Sequence, residues 1–328
     1  MHVVTVNSGR QFEAADSELL LDAAIRGGIT LAYSCRTGRC GTCKCQVRKG
    51  ATLATRDETS LSAAERDAGW ILTCTRTAMS DLELDVEDLG DLRLFPARTY
   101  PCRIQSLTRL SQDVMVAKLR LPPNSSFSYS PGQYVDLIGR DGLRRSYSIA
   151  NAPAADGSLE LHVRSVPGGM MSRYFFEEAK TNDLLRLHGP LGTFLLRGIE
   201  GKDVVFLATG TGIAPVKAIL EDLALRGQAQ PRSVRVFWGG RVAADLYWNL
   251  RETGGQYDYV PVLSRADPSW TGRRGYVQQA LLGMDNDWTR SVVYACGSEA
   301  MIHDARQLLV LAGLGDRRFF SDAFVRSG

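Results

Sequence analysis

What this chain of 328 residues lacks already narrows its function. No stretch approaches the roughly 20 apolar residues that a membrane-crossing helix needs, so no membrane partner is expected. The opening residues MHVVTVNSGRQ show no basic start followed by an apolar core, so no secretory leader is expected and a cytoplasmic location is. No run of one charge is long enough for a polybasic tail or an acidic arm. With 39 Lys and Arg against 36 Asp and Glu, the net charge is only +3, too balanced for a nucleic-acid surface. Histidine is scarce and scattered (His2, His162, His188 and His303), and none is assigned a proton-transfer role. Repeats and low-complexity tracts are absent. At 44% hydrophobic and 23% charged, the composition is that of a globular chain long enough for two or three domains, expected to act as a monomer.

What the chain does have is cysteine, at positions 35, 40, 43, 45, 74, 102 and 296. The number is odd and the cysteines crowd together, which argues against a disulfide framework and for metal or cluster ligation. Cys35-x4-Cys40-x2-Cys43, with Cys74 farther along, is the plant-type [2Fe–2S] spacing. Two tetrahedral irons sharing two bridging sulfides need four thiolates. Gly38 and Gly41 let the loop turn tightly and bring N–H groups toward the sulfurs. A structural zinc site is the competing reading, but only Cys40 and Cys43 form the paired element it favours. Cys45 falls on the opposite face of a following strand and reads as a buried thiol. No role is assigned to Cys102.

Three textures succeed one another, giving domains at 1–91, 98–198 and 199–328. In the first, Ser17–Arg26 reads as a helix starting at Asp16 or Ser17 and stopping at Gly27-Gly28, and Ser62 with Glu65 forms a capping box on a second. Leu92–Pro101 reads as a linker. Short alternating runs follow at Cys102–Leu107, Val114–Leu121, Gln133–Ile138, Tyr147–Ala150 and Leu159–Val166, separated by Pro and Gly turns; they imply an antiparallel barrel. From Gly198 strands and helices alternate: Val204–Ala208, Pro215–Leu225, Val234–Trp238, Tyr259–Leu263, Val292–Ala295 and Glu299–Ala312. That order implies a parallel sheet with helices on both faces.

Three further constellations carry chemistry. In Arg145-Ser146-Tyr147-Ser148 the arginine offers a fork of donors suited to a pyrophosphate, and the tyrosine a flat face for a ring. Val204–Ala208 runs into Thr209-Gly210-Thr211-Gly212-Ile213-Ala214-Pro215, a strand, glycine turn and helix that suit a phosphate. Tyr294-Ala295-Cys296-Gly297-Ser298 ends the last long strand with a small thiol.

The loop Tyr33-Ser34-Cys35-Arg36-Thr37-Gly38-Arg39-Cys40-Gly41-Thr42-Cys43-Lys44-Cys45 resembles that of reductases serving aromatic-ring-hydroxylating dioxygenases, of the naphthalene dioxygenase reductase kind. Reductases acting with CDP-6-deoxyhexulose dehydratases share the layout. Arg145-Ser146-Tyr147-Ser148 matches the signature of the ferredoxin–NADP reductase superfamily. The resemblance covers the whole chain and implies a three-domain ferredoxin–NAD(P)H reductase, multidomain α+β and α/β. A β-grasp [2Fe–2S] domain would precede an FAD-binding β-barrel and a Rossmann-like NAD-binding domain. FAD rather than FMN is expected because the cluster domain comes first.

The resemblance also implies residue roles. Cys35, Cys40, Cys43 and Cys74 would ligate the cluster. Arg145, Ser146, Tyr147, Ser148, His162, Val163, Arg164, Gly168, Gly169, Met170, Met171 and Ser172 would form the FAD site, with Ser172 opening a helix over Ser172–Ala179. Gly210, Thr211, Gly212, Arg241, Cys296 and Gly297 would meet the nicotinamide nucleotide, and Thr209 stands where many members have Gly. Ser148 and Cys296 would flank the reacting atoms, while Phe324 either covers the flavin or packs in the core. Arg241 favours NADH, although Ser264-Arg265 and Arg273-Arg274-x-Tyr276 leave NADPH possible. Electrons would pass from NADH through FAD to the cluster, then to a ferredoxin or Rieske-type terminal oxygenase in aromatic hydrocarbon catabolism. The alternatives are a deoxysugar dehydratase as acceptor and a non-catalytic redox-responsive binding module. Arg36, Arg39 and Lys44 are the basic residues expected to steer an acidic partner.

Overall fold

The computed structural model describes residues 1–90, 92, 94–139, 142–225, 230–250 and 255–324. The chain divides into two units, Met1–Arg93 and Leu94–Gly328.

In the first unit the strands are β1 (His2–Thr5), β2 (Gln11–Ala14), β3 (Lys44–Lys49), β4 (Thr52–Ala54), β5 (Trp70–Leu72), β6 (Arg76–Ala78) and β7 (Leu82–Asp85), with helices α1 (Leu20–Arg26) and α2 (Ala63–Asp67). Five strands form a sheet in the order β2-β1-β7-β3-β5, and β4 pairs with β6. Only β1 and β7 run parallel, the expected β-grasp arrangement. Helix α1 buries Leu20, Leu21, Ala23 and Ala24 in the core with Val4, Phe12 and Leu82. It starts later than the sequence suggests. Glu18 N–H bonds Ala15 O in a turn and Leu19 is taken by a bridge to Thr77, so helical geometry begins only at Leu20. The expected capping box of α2 is present: Ser62 Oγ accepts from Glu65 N–H at 3.2 Å, and Glu65 Oε2 accepts from Ser62 N–H at 2.8 Å.

The second unit opens with β8 (Arg98–Arg109), so the linker ends before Arg98 and Pro101 sits in a strand, opposite Arg186. Residues 91 and 93 of the boundary lie outside the described residues. Then come β9 (Val114–Arg120), β10 (Tyr134–Ile138), β11 (Arg144–Ser148), β12 (Leu159–Arg164), α3 (Met170–Arg173) and β13 (Leu184–Leu191). The six strands are antiparallel in the order β11-β10-β13-β8-β9-β12, and a bridge from Ile149 to Leu161 joins the two edges into a near-barrel. Alternate residues, among them Ile104, Leu119, Val135, Leu137, Leu161 and Leu187, fill its interior. The helix expected over Ser172–Ala179 begins earlier, at Met170, with Gly169 as its N-cap. After four residues it widens into a π turn over Tyr174–Glu178.

The remaining elements are β14 (Asp203–Thr209), α4 (Ile213–Leu225), β15 (Ser233–Gly240), β16 (Asp258–Leu263), β17 (Arg273–Arg274), α5 (Val277–Leu282), β18 (Ser291–Ser298), α6 (Glu299–Leu311) and β19 (Phe319–Phe324). They form a parallel sheet in the order β17-β16-β15-β14-β18-β19. The run Val204–Ala208 is apolar throughout because a parallel sheet is covered on both faces. Strand order reverses between β14 and β18. Their carboxyl ends, Thr209 and Cys296–Ser298, therefore border the crevice where such sheets bind ligands.

Candidate functional site

The four cluster cysteines meet as two pairs. Cys43 donates to Cys74 Sγ at 3.2 Å, and Cys40 donates to Cys35, holding the Cys35 thiol down at about 5. Cys40 and Cys43, the donors, are pushed up by those hydrogen bonds and then by burial. Two thiol pairs suit two irons better than one zinc. Backbone N–H groups aim at these sulfurs, from Thr37 and Arg39 to Cys35 and from Gly38 to Cys74. Gly38, at φ +80°, has no substitute: a Cβ there would lie 2.5 Å from Asp57 O and 2.9 Å from Thr75 Cγ2. The donor set fits a [2Fe–2S] cluster.

Glu58, unnoticed in the sequence, is buried beside this loop. It accepts from Leu72 N–H (3.1 Å), Thr75 Oγ1 (2.9 Å) and Arg76 Nη2 (2.6 Å), and so ties the chain on both sides of Cys74. Burial would raise its pKa, but these donors outweigh it and hold the carboxyl low. Cys45 and Cys102 lie in apolar cores, and burial pushes both thiols up to about 12. The basic patch expected near the cluster is partly neutralised. Arg36 pairs with Asp22, and Lys44 Nζ pairs with Glu65 at 2.7 Å.

In the second unit, strand alternation puts Arg145 and Tyr147 on one face of β11 and Ser146 and Ser148 on the other. Arg145 donates to Arg144 O at 2.7 Å and forms no ion pair among the described residues, so its fork remains available to an anion. Tyr147 stands edge-on to Phe175 at 6.2 Å, and burial pushes its phenol up. Ser146 Oγ donates to Asp136 Oδ1 at 2.7 Å across the strand pair. Ser148 Oγ donates to Asp322 Oδ2 at 3.4 Å, and Cys296 Sγ lies 4.0 Å from the same oxygen. The barrel, β18 and β19 thus converge on one buried carboxylate. Burial, helped by that carboxylate, keeps Cys296 protonated.

The dinucleotide turn lies beside them. A Cβ on Gly212 would be 2.2 Å from Cys296 O, so only glycine allows the approach. Thr209, in place of the more usual glycine, accepts from Ser298 N–H through Oγ1 at 3.2 Å and joins the two strand ends. Trp238 Nε1 donates to Gly210 O at 3.0 Å. Arg164 pairs with Asp113 at 2.8 Å and rests over Gly210, on the dinucleotide turn rather than only at the flavin strand.

Other residues expected at the flavin face inward. Val163 and Met171 pack their side chains in the barrel core. Ser172 Oγ accepts from Val166 N–H and donates to Arg164 O, shaping its own loop. His162 is buried between Glu160 and Tyr247. Gly168 (φ +73°) and Gly169 lie on an accessible loop, and the exposed Met170 opens α3 directly after them. Arg241 and Phe324 are exposed, Phe324 in register with Ser298. Asp245, in the helical turn that follows β15, accepts from the N–H groups of Arg241 and Val242. Arg274 donates to four carbonyls, of Ala266, Asp267, Pro268 and Trp270. Asp322 falls in the tail Phe319–Phe324, which resembles that of the family, but no local pattern pairs it with Ser148 and Cys296, 174 and 26 residues away.

Family models for a 2Fe-2S iron-sulfur cluster binding domain, an oxidoreductase FAD-binding domain and an oxidoreductase NAD-binding domain match residues 4–79, 101–195 and 206–307. The chain is 42% identical over 326 residues to a CDP-6-deoxy-L-threo-D-glycero-4-hexulose-3-dehydrase reductase of Yersinia pestis, covering 98% of this chain and 97% of that one. It is 32% identical to reductase component 2 of a Comamonas terephthalate 1,2-dioxygenase, covering 95% and 94%. The crystal structure of the Amycolatopsis cytochrome P450 reductase GcoB superposes with a TM-score of 0.77 at 31% identity, covering 100% of both chains.

Proposed function

Because this chain belongs to the three-domain ferredoxin–NAD(P)H reductase family, electron-transfer enzymes that use NADH, FAD and a [2Fe–2S] cluster, we propose that Ser148, Cys296 and Asp322 form its hydride-transfer site and that it serves a nucleotide-deoxysugar dehydratase. The observation that carries the site is the convergence of a barrel hydroxyl and a sheet thiol on one buried carboxylate. The non-catalytic reading gives way, since the FAD- and NAD-binding domains are both oxidoreductase domains and stand beside a cluster-binding one.

When bound, FAD and the cluster turn a two-electron hydride donor into a source of single electrons. The protein binds and orients. Arg145 and the Gly168-Gly169 turn at the start of α3 would hold the FAD diphosphate, and Tyr147 would lie against its ring. Gly210–Gly212 and Arg164 would hold the NADH diphosphate at the start of α4. Cys296, uncharged and buried, excludes water where the nicotinamide must lie. Asp322 fixes the Ser148 hydroxyl. Cys35, Cys40, Cys43 and Cys74 would ligate the irons. Two features favour NADH over NADPH: Arg274 is committed to backbone carbonyls, and the Asp245 carboxylate would repel a 2′-phosphate. Arg241 would run along the nucleotide, and Phe324 would cover the flavin face.

For the acceptor, the relative at 42% identity over nearly the whole chain puts the deoxysugar dehydratase ahead of the ring-hydroxylating oxygenase first expected. No described helix is long and apolar enough to cross a membrane. This reading keeps the expected cytoplasmic, monomeric state. The test is NADH consumption with a purified CDP-6-deoxyhexulose 3-dehydratase and its substrate, or with a Rieske oxygenase. Turnover with the dehydratase alone supports the assignment, and turnover with the oxygenase alone replaces it by the dioxygenase reading.

A further inference from the structure

Lys217 lies one turn into α4 and is 3% exposed. Its ammonium donates to Ala150 O at 3.0 Å and to Glu221 Oε1 at 2.6 Å, and pairs with Glu160 Oε1 at 3.1 Å. Its charge also lies 4.9 Å from the centre of the Trp248 ring. The network goes further. Glu221 Oε2 accepts from Ala152 N–H at 2.9 Å. Glu160 Oε1 also meets His162 Nε2 at 3.0 Å, and His162 Nδ1 meets Tyr247 OH at 3.0 Å. One ammonium therefore links helix α4, the segment after β11, strand β12 and residues 247–248.

We infer that Lys217 is a positioning residue for hydride transfer: it holds α4 on the barrel and thereby sets the distance between the dinucleotide turn and Ser148. The inference rests on the hydride-transfer reading above. Two short covalent paths support it. Ala150 is two residues beyond Ser148, and α4 begins at Ile213, directly after Gly212. A displacement at Lys217 is thus passed to both sides of the reaction gap with little chain to absorb it. The composition of the contact points the same way. Buried ion networks hold surfaces together no better than apolar packing, because desolvation offsets their attraction. What they add is registry, since three acceptors from three places must all be met at once.

The test uses the full chain carrying FAD and cluster, as wild type, Lys217→Met, Lys217→Arg and Glu221→Gln. Each is mixed anaerobically with NADH in a stopped-flow instrument, and the unfolding temperature is recorded in parallel. Lys217→Met keeps the length that packs on Trp248. Its limiting rate of flavin bleaching should fall about 10- to 100-fold, as expected for misplaced reactants. The NADH concentration giving half that rate should stay as in the wild type, the nicotinamide–flavin charge-transfer band should weaken, and dithionite reduction should be unchanged. Lys217→Arg should recover part of the rate. A wild-type limiting rate in Lys217→Met, whatever its unfolding temperature, overturns the inference. If Lys217→Met does not fold, Glu221→Gln, on the less buried side of the network, carries the same test, and a wild-type rate there overturns it too. If NADH fails to reduce the wild type itself, the hydride-transfer reading falls and this inference with it.

Discussion

Three of the four cluster thiols, Cys35, Cys40 and Cys43, lie on one short loop, whereas the groups that meet at Asp322 come from residues 148, 296 and 322 and from two different sheets. The loop is shaped by its own backbone, through Gly38 at φ +80° and N–H groups turned toward sulfur. The junction has no such local code. It exists because the ends of β14 and β18 lie side by side, β19 pairs with β18, and a buried ionic network holds α4 against the barrel. A site written in one loop should fail when a single ligand is lost. A site assembled by tertiary packing should degrade by degrees as its supports are removed.

Four experiments probe that contrast, from the largest expected effect to the smallest. Cys74→Ser should abolish the cluster, with its visible absorption and its reduced electron-spin signal lost, while NADH still bleaches the flavin. Loss of both together would mean that the two sites are not separately built. Asp322→Asn should lower the limiting rate of flavin reduction by about 10- to 100-fold, because the hydroxyl and thiol lose the group that aligns them. An unchanged stopped-flow rate would remove Asp322 from the site.

The third experiment uses pH. Burial opposes ionisation of Glu160, but His162 and Lys217 outweigh it and lower its pKa from 4.5 to about 2. A lowered carboxyl stabilises the fold fully above its unfolded value of 4.5, and that contribution drains away as pH falls toward 2. Denaturant titrations should therefore show wild-type stability falling by on the order of 2–3 kcal/mol more than that of Glu160→Gln across this window. Parallel curves would show that the network contributes no such term. The smallest effect is expected at Lys44, whose ammonium pairs with a Glu65 side chain that is 33% exposed. Lys44→Ala should cost less than about 1 kcal/mol in thermal unfolding and slow acceptor reduction by no more than about fivefold. A larger slowing, with NADH-to-dye activity intact, would restore the free basic docking patch.

The same contrast explains what the sequence made legible. The spacing of Cys35, Cys40 and Cys43, the capping box at Ser62 and the individual strands and helices rest on short local patterns, and these elements appear in the structure. Helix α1 starts at Leu20, later than its local pattern implies, because the bridge from Leu19 to Thr77 competes with local propensity. Pro101 reads as linker from its neighbours, yet it belongs to a strand because β13 pairs with it. His162 and Ser146 belong to a recognisable stretch, but their side chains answer to Tyr247 and Asp136, which only the fold brings near. Asp322, Glu58 and Lys217 carry no signature of their own: an acid or a lysine becomes informative only once burial and partners are known.

The central claim is that one chain carries hydride chemistry and a one-electron cluster wired together. Anaerobic titration of the purified protein with NADH, followed by its visible spectrum, tests this most directly. The account predicts that the flavin and cluster bands bleach together, with NADPH far less effective. Bleaching of the flavin alone, or of neither band, would contradict it.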